Sequence, residues 1–101
     1  MEITATIKRV LTKKVFETES GKFTSQPLVL ETTEERQLTN GNVFTLDHSF
    51  IAELIGQKAE DFSLGVGTTV NVGLHFVARA GKGYPDRYFQ SIKITYISVR
   101  Q

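Results

Sequence analysis

The chain of 101 residues has no cysteine, no tryptophan and two prolines. The absence of cysteine excludes a disulfide framework, a thiolate zinc site and a cysteine nucleophile. No apolar run approaches the roughly 18–20 residues that a membrane span needs. Met1 and Glu2 lead directly into alternating sequence, without the basic and apolar regions of a secretory signal. We therefore expect a cytoplasmic protein that contacts no membrane.

An excess of one charge is also lacking, because 12 Lys and Arg are balanced by 11 Asp and Glu to give a net charge of +1. A composition of 40% hydrophobic and 23% charged residues is that of an ordinary globular domain. The length fits one domain, so we expect residues 1–101 to form a single OB-fold unit, as argued below. Such a chain can bind a polyanion only if its basic residues are sorted onto one face.

Alternating apolar and polar residues predict strands over 3–11, 22–33, 42–46, 68–80 and 87–99. The polar stretch 12–21 reads as a loop or as the tips of two strands, and residues 81–86 read as a loop. Pro27 cannot donate to a ladder, so we expect an edge or a bulge there.

The hydrophobic period changes after the third predicted strand. Phe50, Ile51, Leu54 and Ile55 recur at helical spacing. This spacing predicts a helix over 49–61, with Asp47 or Ser49 as its N-cap. In the next strand, Phe76 is in phase with Val70, Val72 and Leu74. We therefore expect Phe76 in the core, and Tyr88 of the following strand beside it.

Three strands, a helix and two strands are the element order of the OB-fold. The sequence thus predicts an all-β fold with one helix, a five-stranded antiparallel Greek-key OB-fold barrel with the helix between strands three and four. Other small β-barrels and rolls are the alternative.

Catalytic patterns are weak throughout. Asp47, His48 and Ser49 are triad residue types, but adjacent side chains diverge instead of converging. His48 and His75 are the only histidines in the sequence, and they would need carboxylates to hold a metal. We expect no enzyme, no metal site and no small-molecule cofactor.

Basic and aromatic residues are interleaved between His75 and Lys93. A groove for single-stranded nucleic acid needs cations for phosphates and flat rings for bases, each stacked base contributing about 1–3 kcal/mol. This pattern predicts binding of single strands with little sequence preference. The expected phosphate contacts are Lys22, Arg79, Lys82, Arg87 and Lys93. The expected stacking residues are Phe23, Phe44, Tyr84 and Phe89.

Four segments resemble a family of small bacterial and phage proteins related to the bacterial single-stranded-DNA-binding proteins. They are MEITATI at 1–7, PLVLETTEE at 27–35, FSLGVGTTVNV at 62–72 and RYFQSIK at 87–93. The resemblance implies an OB-fold that binds single-stranded DNA in replication, recombination or repair and forms dimers or tetramers. It also places Tyr84, Arg87, Tyr88 and Phe89 on the nucleic-acid surface.

The chain departs from that family in two ways. Relatives usually carry tryptophans in strands three and five, and this sequence has none. Well-studied members also end in an acidic tail that recruits repair and replication enzymes, whereas this sequence stops at Gln101, soon after the last predicted strand. We therefore expect single strands to be coated without that recruitment.

Two other functions stay open. The exposed aromatic residues could pack against a partner or a second copy, which would make the domain an assembly module without nucleic acid. The near-neutral charge favours this alternative. A small ligand or an oligosaccharide in the barrel mouth is a third hypothesis, because OB-folds also host such sites.

Overall fold

A computed structural model describes residues 1–81 and 83–100. These residues form six strands and one short helix. The strands are β1 (Glu2–Val10), β2 (Lys14–Thr18), β3 (Gly21–Gln37), β4 (Val43–Ile55), β5 (Thr69–Gly81) and β6 (Tyr84–Val99). The helix α1 (Gln57–Asp61) lies between β4 and β5.

The strands form a mixed sheet in the order β1-β5-β6-β4-β3-β2, and β1 also pairs with β3. Because β1 pairs with both β5 and β3, the pairing runs in a closed circuit through β1, β5, β6, β4 and β3. β2 is attached to β3 outside this circuit. β4 and β6 are parallel and meet at Glu53 and Lys93.

The prediction of five antiparallel strands is therefore wrong in strand number and in direction. Residues 12–21 contain β2, which pairs with β3 from Lys14–Ser25 to Thr18–Gly21. Every residue of β2 is exposed, so no apolar alternation marks it in the sequence. β4 and β6 run parallel because the chain passes through α1 and β5 between them, instead of turning back in a hairpin.

The predicted helix is wrong over 49–55, because these residues extend β4. β4 pairs with β3 residue by residue, from Val43–Gln37 to Ile55–Ser25. Ala52 and Leu54 are buried while Ile51 is exposed, so the strand alternates with period two. A short apolar run such as this one fits a helix and a strand equally well.

The helix α1 begins after Gly56, whose φ of 75° lies in the region that favours glycine. The expected N-caps are both in β4 instead. Asp47 accepts a hydrogen bond from Thr33 Oγ1 at 2.9 Å, and Ser49 pairs with Glu31.

The apolar core draws on β1, β3, β4, α1, β5 and β6. Its buried members are Ala5, Ile7, Leu28, Leu30, Ala52, Leu54, Ala59, Val70, Val72, Leu74 and Ile94. Full burial of a leucine or isoleucine side chain contributes about 1.5–3 kcal/mol. This core therefore holds together the strands that form the closed circuit.

Pro27 lies within β3, at the point where that strand changes partners. β2 pairs with β3 as far as Ser25, and β1 pairs with it from Leu28 onward. The proline, which has no N–H, falls between the two ladders. β3 is therefore an inner strand, so the edge alternative is wrong; of the two predicted features, the irregularity is the one observed, because the β1–β3 register shifts between Leu30 and Val29, close to Pro27.

The β5–β6 hairpin extends beyond its neighbours. β1 pairs with β5 up to Gly73 and β4 meets β6 at Lys93, whereas the hairpin continues to Gly81 and Tyr84. We term residues 75–81 and 84–92 the β5–β6 arm. The loop predicted over 81–86 is correspondingly shorter.

The predicted burial of Phe76 and Tyr88 is wrong for the same reason. Phe76 is 55% exposed and Tyr88 is 68% exposed. The alternation of β5 is correct as far as Leu74, which is buried. Beyond Gly73, β1 no longer pairs with β5, and the in-phase side chain of Phe76 is left more than half exposed.

Candidate nucleic-acid interface

The pairing of β2, β3 and β4 defines an outer face opposite the core. Directly paired residues lie on the same side of a sheet, and successive residues alternate between its sides. Leu28, Leu30, Ala52 and Leu54 face the core, so the residues between them face outward. The outer face comprises Phe16, Phe23, Ser25, Pro27, Val29, Ile51, Glu53 and Ile55, and Lys93 of β6 joins it opposite Glu53.

Two phenylalanines form a stacked pair at the β2 end of the outer face. The ring centroids of Phe16 and Phe23 are 5.2 Å apart and the ring planes differ by 22°. The two residues are direct cross-strand partners in the β2–β3 hairpin, which holds the rings in place. Phe16 is 43% exposed, so it presents aromatic surface to solvent. A rigid, exposed ring is the kind of surface on which an unpaired base stacks.

Lys22 is in the same hairpin and is well exposed, but it projects from the side opposite Phe16 and Phe23, because successive residues alternate. Its Nζ lies 3.3 Å from Oε1 of Glu17. Surface ion pairs of this kind contribute at most about 1 kcal/mol. A phosphate group could therefore replace Glu17 as the partner of Lys22 at little cost.

Lys93 has a more enclosed partner. Its ammonium group donates to Oε1 of Glu53, while the hydroxyl of Ser25 donates to Oε2 of the same carboxylate at 2.7 Å. The Glu53 carboxylate therefore joins β3, β4 and β6 at the centre of the outer face. The positive charge of Lys93 is largely balanced there.

The surroundings of Glu53 keep it ionised. Partial burial would raise the pKa of this carboxyl, but the hydrogen bonds from Lys93 and Ser25 oppose that effect, as do the charges of Lys93 and Lys14. Together they hold the pKa of Glu53 below its ordinary value of 4.5. An ionised carboxylate thus lies on the face that is expected to meet a polyanion.

Acidic residues are concentrated on the part of β3 and β4 beyond the core. Glu31 pairs with Lys8, with 3.0 Å between Oε2 and Nζ, and Glu34 Oε2 lies 3.1 Å from His48 Nε2. Glu35 and Asp47 are exposed on the same strand pair. Charge is therefore sorted along the sheet, and a polyanion is disfavoured over residues 31–35 and 45–49.

The structure describes four of the ten predicted site residues with their side chains. Lys22 and Phe23 lie together in the β2–β3 hairpin, Lys93 lies at the base of the β5–β6 arm, and Tyr88 is exposed on that arm. In the sheet, β4 separates β6 from the β2–β3 hairpin, so the outer face of β4 lies between Lys93 and Phe23.

For five further residues the structure describes the backbone alone. Arg79 and Phe89 are cross-strand partners in the arm, Tyr84 and Arg87 belong to β6, and Phe44 belongs to β4. Their side chains lie outside the described part of the chain, as does Lys82 altogether.

Sequence reasoning missed Phe16. Residues 12–21 were interpreted as a loop or as the tips of two strands, and the phenylalanine within them was not assigned to a face. The available signal was symmetry about the turn: Phe16 and Phe23 are equally distant from a connection centred on Glu19 and Ser20. In a two-residue hairpin such positions face each other.

Other chemistry has little support in the described residues. Over 1–81 and 83–100, no group of three or more histidine, aspartate or glutamate side chains is arranged to hold a metal ion. Nor does this part of the chain include a helix of the length and apolarity that crossing a membrane requires.

No family model matches the sequence, and no curated protein does. Solved structures do match. The wild-type single-stranded DNA binding protein from Thermus aquaticus is similar with a TM-score of 0.72 at 15% identity, over 99% of this chain and 48% of that chain. The chain has the fold of the bacterial single-stranded DNA-binding proteins. The fold implied by the sequence resemblance is thereby confirmed.

Two further structures are similar to the chain. A deletion mutant of the Thermus aquaticus protein gives a TM-score of 0.69 at 14% identity, covering 99% of this chain and 49% of that one. The small single-stranded DNA-binding protein from Streptomyces coelicolor gives 0.51 at 20% identity, covering 99% and 94%. The chain spans about half the length of the Thermus aquaticus chains. At these identities the likeness is one of fold.

Proposed function

We propose that this chain is a non-enzymatic OB-fold barrel that binds single-stranded DNA with little sequence preference, in replication, recombination or repair. The observation that carries the proposal is the Phe16–Phe23 pair. It is a stacked and partly exposed aromatic platform on the outer face of a fold that single-stranded DNA-binding proteins share.

The proposed path begins at the β2–β3 hairpin, crosses the outer face and ends on the β5–β6 arm. Bases stack on Phe16 and Phe23, and rest on the apolar side chains of Val29 and Ile51 on the way. Further stacking is proposed for Phe44, Tyr84, Tyr88 and Phe89. Phosphate contacts are proposed for Lys22, Arg79, Lys82 and Arg87, with a smaller contribution from Lys93 because Glu53 balances its charge.

The same surface disfavours a duplex. Base pairs hide their flat faces, so a duplex offers its phosphates but cannot use the aromatic platform or the apolar floor. A duplex is also wide enough to meet the acidic residues on β3 and β4, such as Glu35 and Asp47. Single strands can avoid that region by following the path described above.

An assembly module is the second candidate. Ile51 and Phe76 are large apolar side chains that are more than half exposed, which a partner protein or a second copy could cover. Under this alternative the chain forms a stable dimer or tetramer and ignores nucleic acid. The two candidates therefore predict different behaviour in the same sample.

Sedimentation velocity with a labelled oligo-dT separates them. We expect the label to sediment with the protein at micromolar concentration, and an excess of unlabelled duplex not to displace it. An oligo-dT that sediments alone beside a protein dimer or tetramer would contradict DNA binding and support the assembly module.

A further inference from the structure

The outer face contains a notch between β4 and β6. Among the described residues, Glu53–Lys93 is the one pairing of these two strands, and on the arm side of it β6 leaves β4. The gap has a volume of about 280 Å³ and is lined by Pro27, Ile51, Glu53, Gln90, Ser91 and Ile92. Sites for drug-sized molecules run from roughly 300 to 1,000 Å³, so this notch suits a smaller group, such as one planar ring system.

The notch is lined by both apolar side chains and a carboxylate. Pro27, Ile51 and Ile92 supply apolar surface against which a flat ring can lie. Glu53 supplies a carboxylate that is 24% exposed and borders the notch. A carboxylate inside an apolar recess accepts hydrogen bonds strongly and repels groups that carry lone pairs.

Both oxygens of Glu53 keep accepting capacity. A carboxylate offers about four lone-pair directions, two on each oxygen. Oε1 accepts from Lys93 and Oε2 accepts from Ser25. Within the described residues, one direction on each oxygen is left for a ligand. A ligand with two adjacent donors would satisfy both of them.

We propose that the notch binds one unstacked nucleobase through Glu53 and that it prefers guanine. The N1–H and N2–H groups of guanine are adjacent donors with no acceptor between them, which matches a carboxylate. Thymine has one ring N–H flanked by two carbonyl oxygens, which the carboxylate repels. Adenine and cytosine each present an amino donor next to a ring nitrogen with a lone pair. Guanine is therefore the base whose edge complements Glu53 at two points.

This inference rests on the proposed binding of single strands, and it adds a preference at one position of an otherwise sequence-tolerant surface. Hypoxanthine separates hydrogen bonding from stacking, because it has the same fused rings as guanine and lacks the N2 amino group. A preference that arose from stacking alone would treat the two bases alike.

The test compares three labelled oligomers of equal length by fluorescence anisotropy in a lithium buffer. They are oligo-dT, an alternating thymine–guanine strand and an alternating thymine–hypoxanthine strand. We expect the guanine strand to bind about tenfold more tightly than oligo-dT, since a hydrogen bond to a charged group is stronger than a neutral one. The hypoxanthine strand should lose most of that gain.

Two variants locate the preference. E53Q should abolish the advantage of guanine over hypoxanthine, because an amide turns one acceptor into a donor. The same variant should bind oligo-dT more tightly than the wild type, because Lys93 loses its counter-charge. E31Q is the matched control: Glu31 is also ion-paired, to Lys8, but does not line the notch. It should keep the wild-type advantage.

The outcomes are distinguishable. Equal binding of all three strands by the wild type overturns the guanine preference and leaves single-strand binding intact. An advantage of guanine that survives E53Q overturns the role of Glu53. Binding of none of the strands overturns the preference together with the proposed function. The wild-type comparison of guanine with hypoxanthine stands even if E53Q fails to fold.

Discussion

Replacing Phe16 tests the aromatic platform without touching the core. The stacking of a base on an aromatic ring contributes about 1–3 kcal/mol. Phe16 is 43% exposed and its other surface packs on Phe23, so a base reaches only part of the ring. We therefore expect the lower end of that range for F16A, a loss of about 1–1.5 kcal/mol, or roughly 5- to 12-fold in affinity for oligo-dT.

The leucine variant separates stacking from packing. F16L keeps an apolar side chain against Phe23 but has no flat face, so it should lose nearly as much affinity as F16A and less stability. V66A is the control. It also removes an exposed apolar side chain, but Val66 is not one of the outer-face residues, so this variant should bind like the wild type. Affinity is read by anisotropy and folding by thermal unfolding. Wild-type affinity in both F16A and F16L would refute the platform.

Three further results follow from individual contacts. K22A should lower the slope of log affinity against log salt concentration by about one, because one phosphate contact is lost, whereas K8A should leave it unchanged. The free energy of unfolding, measured by urea titration, should fall as the pH drops below 4.5, because the pKa of Glu53 is lower in the folded chain than in the unfolded one. The E53Q variant, which has no carboxyl at this position, should lose less stability over the same pH range. G73A should cost about 1–3 kcal/mol in the same assay, since its Cβ would overlap the ring of Tyr96, and Y96A should restore part of it.

Strand periodicity predicted much of this fold because it follows directly from burial. Val70, Val72 and Leu74 alternate along β5 and are all buried, as expected. The resemblance of four segments likewise led to the correct fold. Alternation is a local pattern, and the resemblance depends on the order of short segments. A single sequence shows each of them.

What periodicity cannot report is where a sheet ends. Phe76 continues the alternation of Leu74, but β1 no longer pairs with β5 beyond Gly73. Whether an in-phase residue is buried depends on the presence of other strands, which is tertiary information. The expected helix failed for a related reason: thirteen residue pairs with β3 stabilise β4 as a strand, and nothing in 49–55 reveals this partner.

In the candidate site too, local sequence patterns were predictable and long-range contacts were not. Phe23 and Lys22 were identified from residue type, whereas Phe16 became visible only when the hairpin placed it beside Phe23. The role of Lys93 changed most. Its sequence neighbours suggest a free cation, yet Glu53, forty residues away, balances its charge through the parallel pairing of β4 and β6. Long-range partners of this kind decide which basic residues can reach phosphate.

The most direct test of single-strand binding is a titration of labelled oligo-dT and of a matched duplex with the wild-type protein, at two salt concentrations. We expect the anisotropy of oligo-dT to rise at micromolar protein, to rise less at higher salt, and to exceed that of the duplex at both. A flat signal for oligo-dT, or equal binding of the duplex, would contradict the account and leave the shared fold without the proposed function.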